Sequence, residues 1–577
     1  MEANKKKITD IFTGSRLLKV PFFQRSYVWT TEQWQRLLED MEYISNVYKE
    51  NEHGYFLGSI IFKQCLCPTS NVSDIRTIID GQQRLTTIAI FLKVLYLLNN
   101  SDGKFRRKFF LEDDETIAIE HSSSDRKDFE KILKLKSIEN VEGDGGVIAA
   151  YNFFKTNIVV EKLDIDTILR NVLFVLIDLG PDEDEQLIFD TINSLGVRLT
   201  TGELLKNYFF RDGESAIDKY KNYWKATFEE DSDCIGYWSG KMTTGRIKKD
   251  YSETFFYCFL QIKIQEASLK LSSETKKVYR RTEGLFTNYK QLIKDCQINE
   301  DTFLKEITNY GKIFKESFPL DIAHKEIPSS PCIERMAFIV FVLEVATLFP
   351  YILYIKKNVH EESEQNKIFE YLESYIIRRF LCNCKTSNYS DFFSENLIGQ
   401  EIKSYEALRE YVDSKSVAAS LAMPSDEKVM ECLKTTPFAS NKRPLGILYL
   451  LESKLRSTKK DALKLRNYAE YSLEHLMPIK WQKWPKPQNI TKEQRDDRIK
   501  TIGNMALITG QLNASISNAV WEEKKMGKDG HQGLTTYGAG LYTLESALKK
   551  EVWDEDAITE RANELGEKIL KIWRVKL

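Results

Sequence analysis

Three short strings near the end of this chain leave little freedom to the segment that holds them. They are Glu474-His475-Leu476-Met477-Pro478, Gly503-Asn504-Met505-Ala506-Leu507 and Leu512-Asn513-Ala514. An acid–His pair, an Asn, and a second Asn nine positions on is the spacing of two strands and a helix gripping one cation. The residue types suit phosphodiester hydrolysis. A neutral His serves as a general base near pH 7. A hard divalent cation stabilises charge on the phosphate and the leaving oxygen. Oxygen donors such as Glu474 and the Asn513 amide suit Mg2+ or Mn2+ and leave positions for water and phosphate.

The surroundings sharpen the pattern. His475 closes the apolar-spaced stretch from Tyr468 to Leu473, and Asn504 and Asn513 bracket Met505-Ala506-Leu507-Ile508. A Lys-rich helix is expected through Trp521, Lys524 and Lys525. Residues 449–528 resemble the C-terminal HNH domain of GmrSD-type restriction enzymes, whose pattern runs EHI-x-P, W, GNL-x-L, N, K. Here those positions are Glu474-His475, Pro478, Trp481, Gly503-Asn504, Leu507, Asn513 and Lys524. Leu476 and Met505 stand where Ile and Leu are usual, changes that conserve volume. The resemblance implies a catalytic set of His475, Glu474, Asn504, Asn513 and Lys524. In it His475 is the general base, Glu474 and Asn513 lie near the metal, and Asn504 positions the His loop.

A chain of 577 residues exceeds one core, and its length leads us to expect about three or four domains. A net charge of −2 excludes attraction of nucleic acid by bulk charge, so local basic patches such as Lys5-Lys6-Lys7, Lys442-Arg443 and Lys524-Lys525-Lys528 would have to serve. The nine cysteines show C-x-C pairs at Cys65/Cys67 and Cys382/Cys384 but no zinc framework. Their odd number, with no apolar run after Lys5-Lys6-Lys7, gives a cytoplasmic location as the expectation. The stretch 336–355 is long and apolar enough to span a bilayer, but Glu344 and Pro350 interrupt it. A buried helix over 334–357 and no membrane partner are the expectation.

The fold class read from the periodicities is α+β. Strands are expected over 17–23, 55–62, 76–79 and 171–179, with helices over 31–49, 86–98 and 185–193. Helix then follows helix at 220–228, 251–264, 303–314, 334–357 and 367–381. The organisation expected is an α/β domain over 1–212, an all-α connecting domain over 213–420 and the nuclease segment over 421–577.

The strand 76–79 runs through Asp80-Gly81-Gln82-Gln83-Arg84 into a helix at Thr86. A strand–turn–helix with Gly at the turn aims free N–H groups and a helix dipole at whatever sits above it. Arg84 adds a forked donor for phosphate, and Asp80 suits a bridging cation. Taken alone, the turn fits a polar tip as well as a phosphate site.

Two further strings accompany it: Pro21-Phe22-Phe23-Gln24-Arg25-Ser26-Tyr27-Val28-Trp29, and Phe189 to Thr200 followed by Glu203-Leu204-Leu205-Lys206-Asn207. Together the three resemble the N-terminal domain of the GmrSD family, a ParB/sulfiredoxin-like fold. With the C-terminal strings, the resemblance covers nearly the whole chain. It implies binding and hydrolysis of a nucleoside triphosphate (GTP, UTP, CTP or ATP) at Asp80, Gly81, Gln82, Gln83, Arg84 and Thr86. Gln24, Arg25, Asn193 and Lys206 would complete that pocket. Tyr27 and Trp29 fit either a base-stacking surface or the core. For the C-terminal domain the resemblance implies a ββα-metal HNH fold embedded in helices.

The function expected is a nucleotide-regulated, divalent-metal-dependent DNA endonuclease of modification-dependent, type IV-like restriction, acting against phage or foreign DNA. Alternatives are a phosphorothioate-sensing nickase, a nucleotide-switched DNA- or partner-binding regulator, and an RNA-targeting nuclease. With one nuclease domain per chain, a double-strand break calls for two encounters or a homodimer.

Overall fold

A computed structural model describes residues 2–13, 15–22, 24–48, 54–65, 74–113, 115–121, 125–181, 183, 200–210, 214–244, 247–281, 284–414, 419–456, 465–485, 490–516, 518–528, 531–537 and 540–577. They form an α+β chain of two compact units, Met1–Asn222 and Tyr223–Leu577. The stretches 223–420 and 421–577 share the second unit.

The first unit is built on one mixed sheet. Its strands are β1 (Glu2–Lys7), β2 (Arg16–Lys19), β3 (Tyr55–Gln64), β4 (Asp74–Asp80), β5 (Ile119–Glu120) and β6 (Val172–Leu179), in the order β1-β6-β3-β4-β2-β5. β3 runs parallel to β6, and β2 parallel to β4 and β5; the β3–β4 and β1–β6 pairs are antiparallel. β6, with sequence VLFVLIDL, is apolar on both faces and largely buried, as a central strand should be. β2 is shorter than the strand expected over 17–23, since Pro21 has no N–H to continue the ladder.

Helices cover the sheet. Thr31–Val47 buries Trp34, Leu37, Leu38, Met41 and Ile44, the face that its periodicity marks. Gln82–Leu98 is apolar nearly all round and buried along most of its length. Each Leu, Ile or Phe it takes out of water contributes about 1.5–3 kcal/mol, so this helix anchors the core. The helix expected over 185–193, and Asn193 with it, lies outside the described residues.

The second unit is mainly helical but not all-α over 213–420. A hairpin of β7 (Lys241–Thr244) and β8 (Ile247–Asp250) interrupts it, formed by segments too polar to alternate visibly. The single helix expected over 334–357 is two, Ile333–Phe341 and Phe349–Asn358. Between them Glu344 takes a left-handed backbone (φ +60°) and pairs with Lys442 Nζ at 2.6 Å, while Pro350 sits in the first turn of the second helix. Both residues oppose a continuous buried helix: one must keep its charge paired, the other has no N–H to donate. Among the described residues no helix is long and apolar enough to cross a membrane.

Near the end of the unit β9 (Tyr471–His475) pairs antiparallel with β10 (Met505–Thr509), His475 opposite Met505 and Glu474 opposite Ala506. The helices Gly510–Ile516, Trp521–Met526 and Glu555–Ile572 follow.

Candidate active site

The turn after β9 is fixed by one side chain. Asn504 is fully buried and uses its whole carboxamide. Oδ1 accepts from Met477 N (2.8 Å) and Trp553 Nε1 (3.0 Å), while Nδ2 donates to Met477 O (2.8 Å) and Ile499 O (2.9 Å). Leu476 N donates to the Asn504 carbonyl oxygen at 2.9 Å. The residues just past His475 are thereby clamped, and Asn504 is left no group for substrate or metal. It holds the loop that follows His475, the position expected of it. The preceding Gly503 is required by close approach, because a Cβ there would strike the Ile558 carbonyl of the Glu555–Ile572 helix. From that helix Arg561 Nη1 donates to Gly503 O at 2.6 Å.

Asn513 is carried back onto β9 by the helix Gly510–Ile516. Its Nδ2 donates to Ser472 Oγ (3.0 Å) and Leu473 O (3.3 Å). Since a carbonyl can only accept, the amide nitrogen must face β9, and Oδ1 is the atom left for a ligand. Lys524 is wholly buried, its Nζ paired with the Glu474 carboxylate and donating to His475 O at 2.8 Å. Burial raises the Glu474 pKa and lowers that of Lys524, each opposed by the partner's charge.

His475 is 9% exposed, and among the described residues neither ring nitrogen is hydrogen-bonded. Burial, with the positive charges of Lys524 and Lys500, pushes its pKa down to about 4. The imidazole is therefore neutral at physiological pH, the form a general base needs. Glu474, His475, Asn504, Asn513 and Lys524 thus gather around the end of β9. Trp553, Arg561 and Lys500, which the sequence strings did not single out, complete the neighbourhood. Among the described residues no group of three or more His, Cys, Asp or Glu side chains forms a metal cluster.

In the first unit the expected nucleotide residues Gln24, Arg25, Gln82, Gln83 and Thr86 meet around the turn from β4 into Gln82–Leu98. Gly81 (φ +96°) makes the turn, and a Cβ there would run into Ile60 Cγ2. The two glutamines bind the Gln24–Trp29 segment: Gln82 Nε2 donates to Arg25 O (3.1 Å), and Gln83 donates to Ser26 O (3.2 Å) and accepts from Val28 N (2.9 Å). Gln24 donates back to Ile78 O at 2.6 Å. Thr86 is buried against His121 Nε2 at 3.0 Å. The three glutamine amides therefore join two sequence strings to each other, and the Thr86 hydroxyl ties the helix to His121.

The charged members are placed differently. Arg84 donates to Ser59 O (2.5 Å) and lies 3.9 Å from Asp80 Oδ2. Arg25 lies 3.7 Å from Glu203 Oε1, and Lys206 is buried on the same helix, Thr201–Phe209. Tyr27 belongs to the core, its OH bonded to Thr87 Oγ1 (2.6 Å) and to Trp34 Nε1 (2.8 Å), and Trp29 packs against that core.

Comparison with known proteins gives two matches. Residues 8–210 match the family model described as the GmrSD restriction endonuclease N-terminal domain, and residues 423–568 match that of the GmrSD restriction endonucleases, C-terminal domain. No curated protein matches the chain.

Proposed function

The chain belongs to the GmrSD restriction endonuclease family, and from that premise we propose that it is a nucleotide-regulated, divalent-metal-dependent nuclease that cuts modified foreign DNA. The observation that carries the nuclease assignment is the buried imidazole of His475 beside Glu474 at the end of β9, unbonded among the described residues, with Asn513 and Lys524 closing on the same strand. This reading takes β9, β10 and the Gly510–Ile516 helix as the ββα core of an HNH domain within 421–577. The N-terminal sheet is then the ParB-like domain within 1–212.

His475 removes a proton from water. The water oxygen bonds phosphorus, the bond from phosphorus to the leaving sugar oxygen breaks, and that oxygen takes a proton from solvent. The residues present fit Mg2+ or Mn2+: Oδ1 of Asn513 and the Glu474 carboxylate are hard oxygen donors. When bound, such an ion supplies charge stabilisation at the phosphate. The Lys524 charge opposes the rise that burial imposes on the Glu474 pKa, and Asn504 holds the loop that aims His475.

In the first unit Arg84, Asp80, Arg25 and Lys206 are the charged groups proposed to meet a nucleoside triphosphate. Gln24, Gln82, Gln83 and Thr86 shape the walls of that pocket.

The test is a cleavage panel with the full chain: plain, glucosylated and phosphorothioated DNA plus RNA, in Mg2+ or Mn2+, with and without each of the four ribonucleotides. We expect cleavage of one modified DNA, responsive to one nucleotide, and its loss in His475→Ala with triphosphate hydrolysis retained. Undiminished nicking by His475→Ala would reject the site.

A further inference from the structure

Ser472 stands two residues before Glu474 on β9, outside every string that marked the site. Successive side chains of a strand alternate between its faces, so Ser472 and Glu474 share one face of β9. Asn513 reaches that face from the Gly510–Ile516 helix. Its amide nitrogen carries two hydrogens. One is donated to Ser472 Oγ at 3.0 Å and the other to Leu473 O at 3.3 Å. Both N–H groups are thereby used, and both acceptors belong to β9.

The two acceptors are not equal. The contact to the Leu473 carbonyl is the longer one, past the usual range for an N–H···O bond. A carboxamide held at that point alone can still turn about its Cβ–Cγ bond. The Ser472 hydroxyl supplies the second point. With both bonds made, turning the amide over would set Oδ1 against the Leu473 carbonyl, acceptor facing acceptor. Oδ1 is thus fixed as the free acceptor of Asn513, and among the described residues no donor meets it. Groups that hold a metal ligand through its other polar atom govern how well that ligand binds, and their loss costs roughly 10–100-fold in metal affinity or activity.

We propose that Ser472 is a positioning residue of the nuclease site, its hydroxyl oxygen orienting the Asn513 carboxamide so that Oδ1 is presented to a divalent cation. This rests on the nuclease reading above, in which Asn513 and Glu474 hold that ion.

The experiment measures Mn2+ binding to the full chain by calorimetry, without DNA or nucleotide, together with urea unfolding midpoints. The proteins are the parent, Asn513→Ala, Ser472→Ala, Ser472→Thr and Ser472→Val. Thr and Val have nearly the same shape on a strand and differ by a hydroxyl in place of a methyl. Ser472→Ala and Ser472→Val should bind Mn2+ about tenfold or more weakly than the parent, while Ser472→Thr stays close to it. Cleavage of a modified plasmid should follow the same order at low Mn2+ and converge as Mn2+ saturates, because the reacting groups are intact. A serine that merely supports the strand would move the unfolding midpoint without separating Thr from Val in metal affinity.

Equal Mn2+ affinity in the Thr and Val variants, with binding weakened in Asn513→Ala, overturns the assignment of Ser472 alone. Parental Mn2+ affinity in Asn513→Ala removes the ligand that Ser472 would orient and overturns this inference, whatever the His475→Ala variant does. Undiminished cleavage by His475→Ala overturns the nuclease reading and this inference together. Should Ser472→Ala lose stability, the comparison of Thr with Val carries the test.

Discussion

Asn504 does its work without touching the reaction. Its carboxamide satisfies Met477 N–H and C=O, Ile499 C=O and the Trp553 indole, all buried. Truncation to Asn504→Ala leaves those groups unpaired, and the cost should be roughly 3–5 kcal/mol. We expect a lower urea unfolding midpoint and a parallel loss of cleavage. Cleavage lost at unchanged stability would instead place Asn504 in contact with substrate. The Gly-Asn string is legible as a string, but what each residue does is not: Gly503 lets the Ile558 backbone approach and Asn504 holds Met477. Its partner Trp553 is 49 residues further on, and nothing near Asn504 announces an indole arriving from that distance.

At the scale of elements, the β4–turn–helix unit is fixed from both sides. Gln82 and Gln83 fasten the Gln24–Trp29 segment to the helix start, and His121 beyond β5 meets Thr86 one turn later. Burial pushes the His121 pKa down to about 4, with the Asp125 carboxylate 3.7 Å away committed to Tyr27 N–H. The folded pKa lies below the unfolded value near 6.5, so the native state resists a proton that the unfolded chain accepts. The contribution is complete above pH 6.5 and is lost as pH falls from 6.5 toward 4, by about 3 kcal/mol in all. His121→Gln should flatten the pH dependence of the urea midpoint over that window. Curves that run parallel for parent and variant would refute the assignment. The strand–Gly–helix signal was plain in the residues, whereas the carbonyls that Gln82 and Gln83 reach were not, because they lie on a segment more than fifty residues away.

Across the second unit, a buried ionic cluster joins helices far apart in the chain. Arg335 Nη2 and Nε meet both oxygens of Glu373 at 2.6 Å, Arg335 Nη1 donates to Ser453 Oγ (2.8 Å), and Trp573 Nε1 donates to Glu373 Oε1 (2.8 Å). Arg378 adds a bond to Trp573 O at 2.8 Å. Removing one partner strands the other's charge, so Glu373→Ala should cost roughly 3–5 kcal/mol. Much of that should return in the double variant Arg335→Met/Glu373→Met. Unfolding midpoints for the two variants check this, and equal losses in single and double variants would argue against it. This cluster ties residues from 335 to 573 and so joins the stretches 223–420 and 421–577 within one compact unit.

The sequence by itself determined what is local: that Gly81 makes the turn after the strand expected over 76–79, that a strongly apolar helix runs to Leu98, and that Glu474, His475, Asn504 and Asn513 are the residues to look for together. Each follows from backbone freedom or apolar spacing over a few residues. Only the tertiary structure decided that Lys524 is consumed by Glu474, that the Trp553 indole reaches Asn504, and that the apolar stretch over 334–357 breaks at Glu344. Those outcomes depend on residues tens to hundreds of positions apart. They meet because the whole core must bury its apolar surface while leaving no charge and no backbone group without a partner.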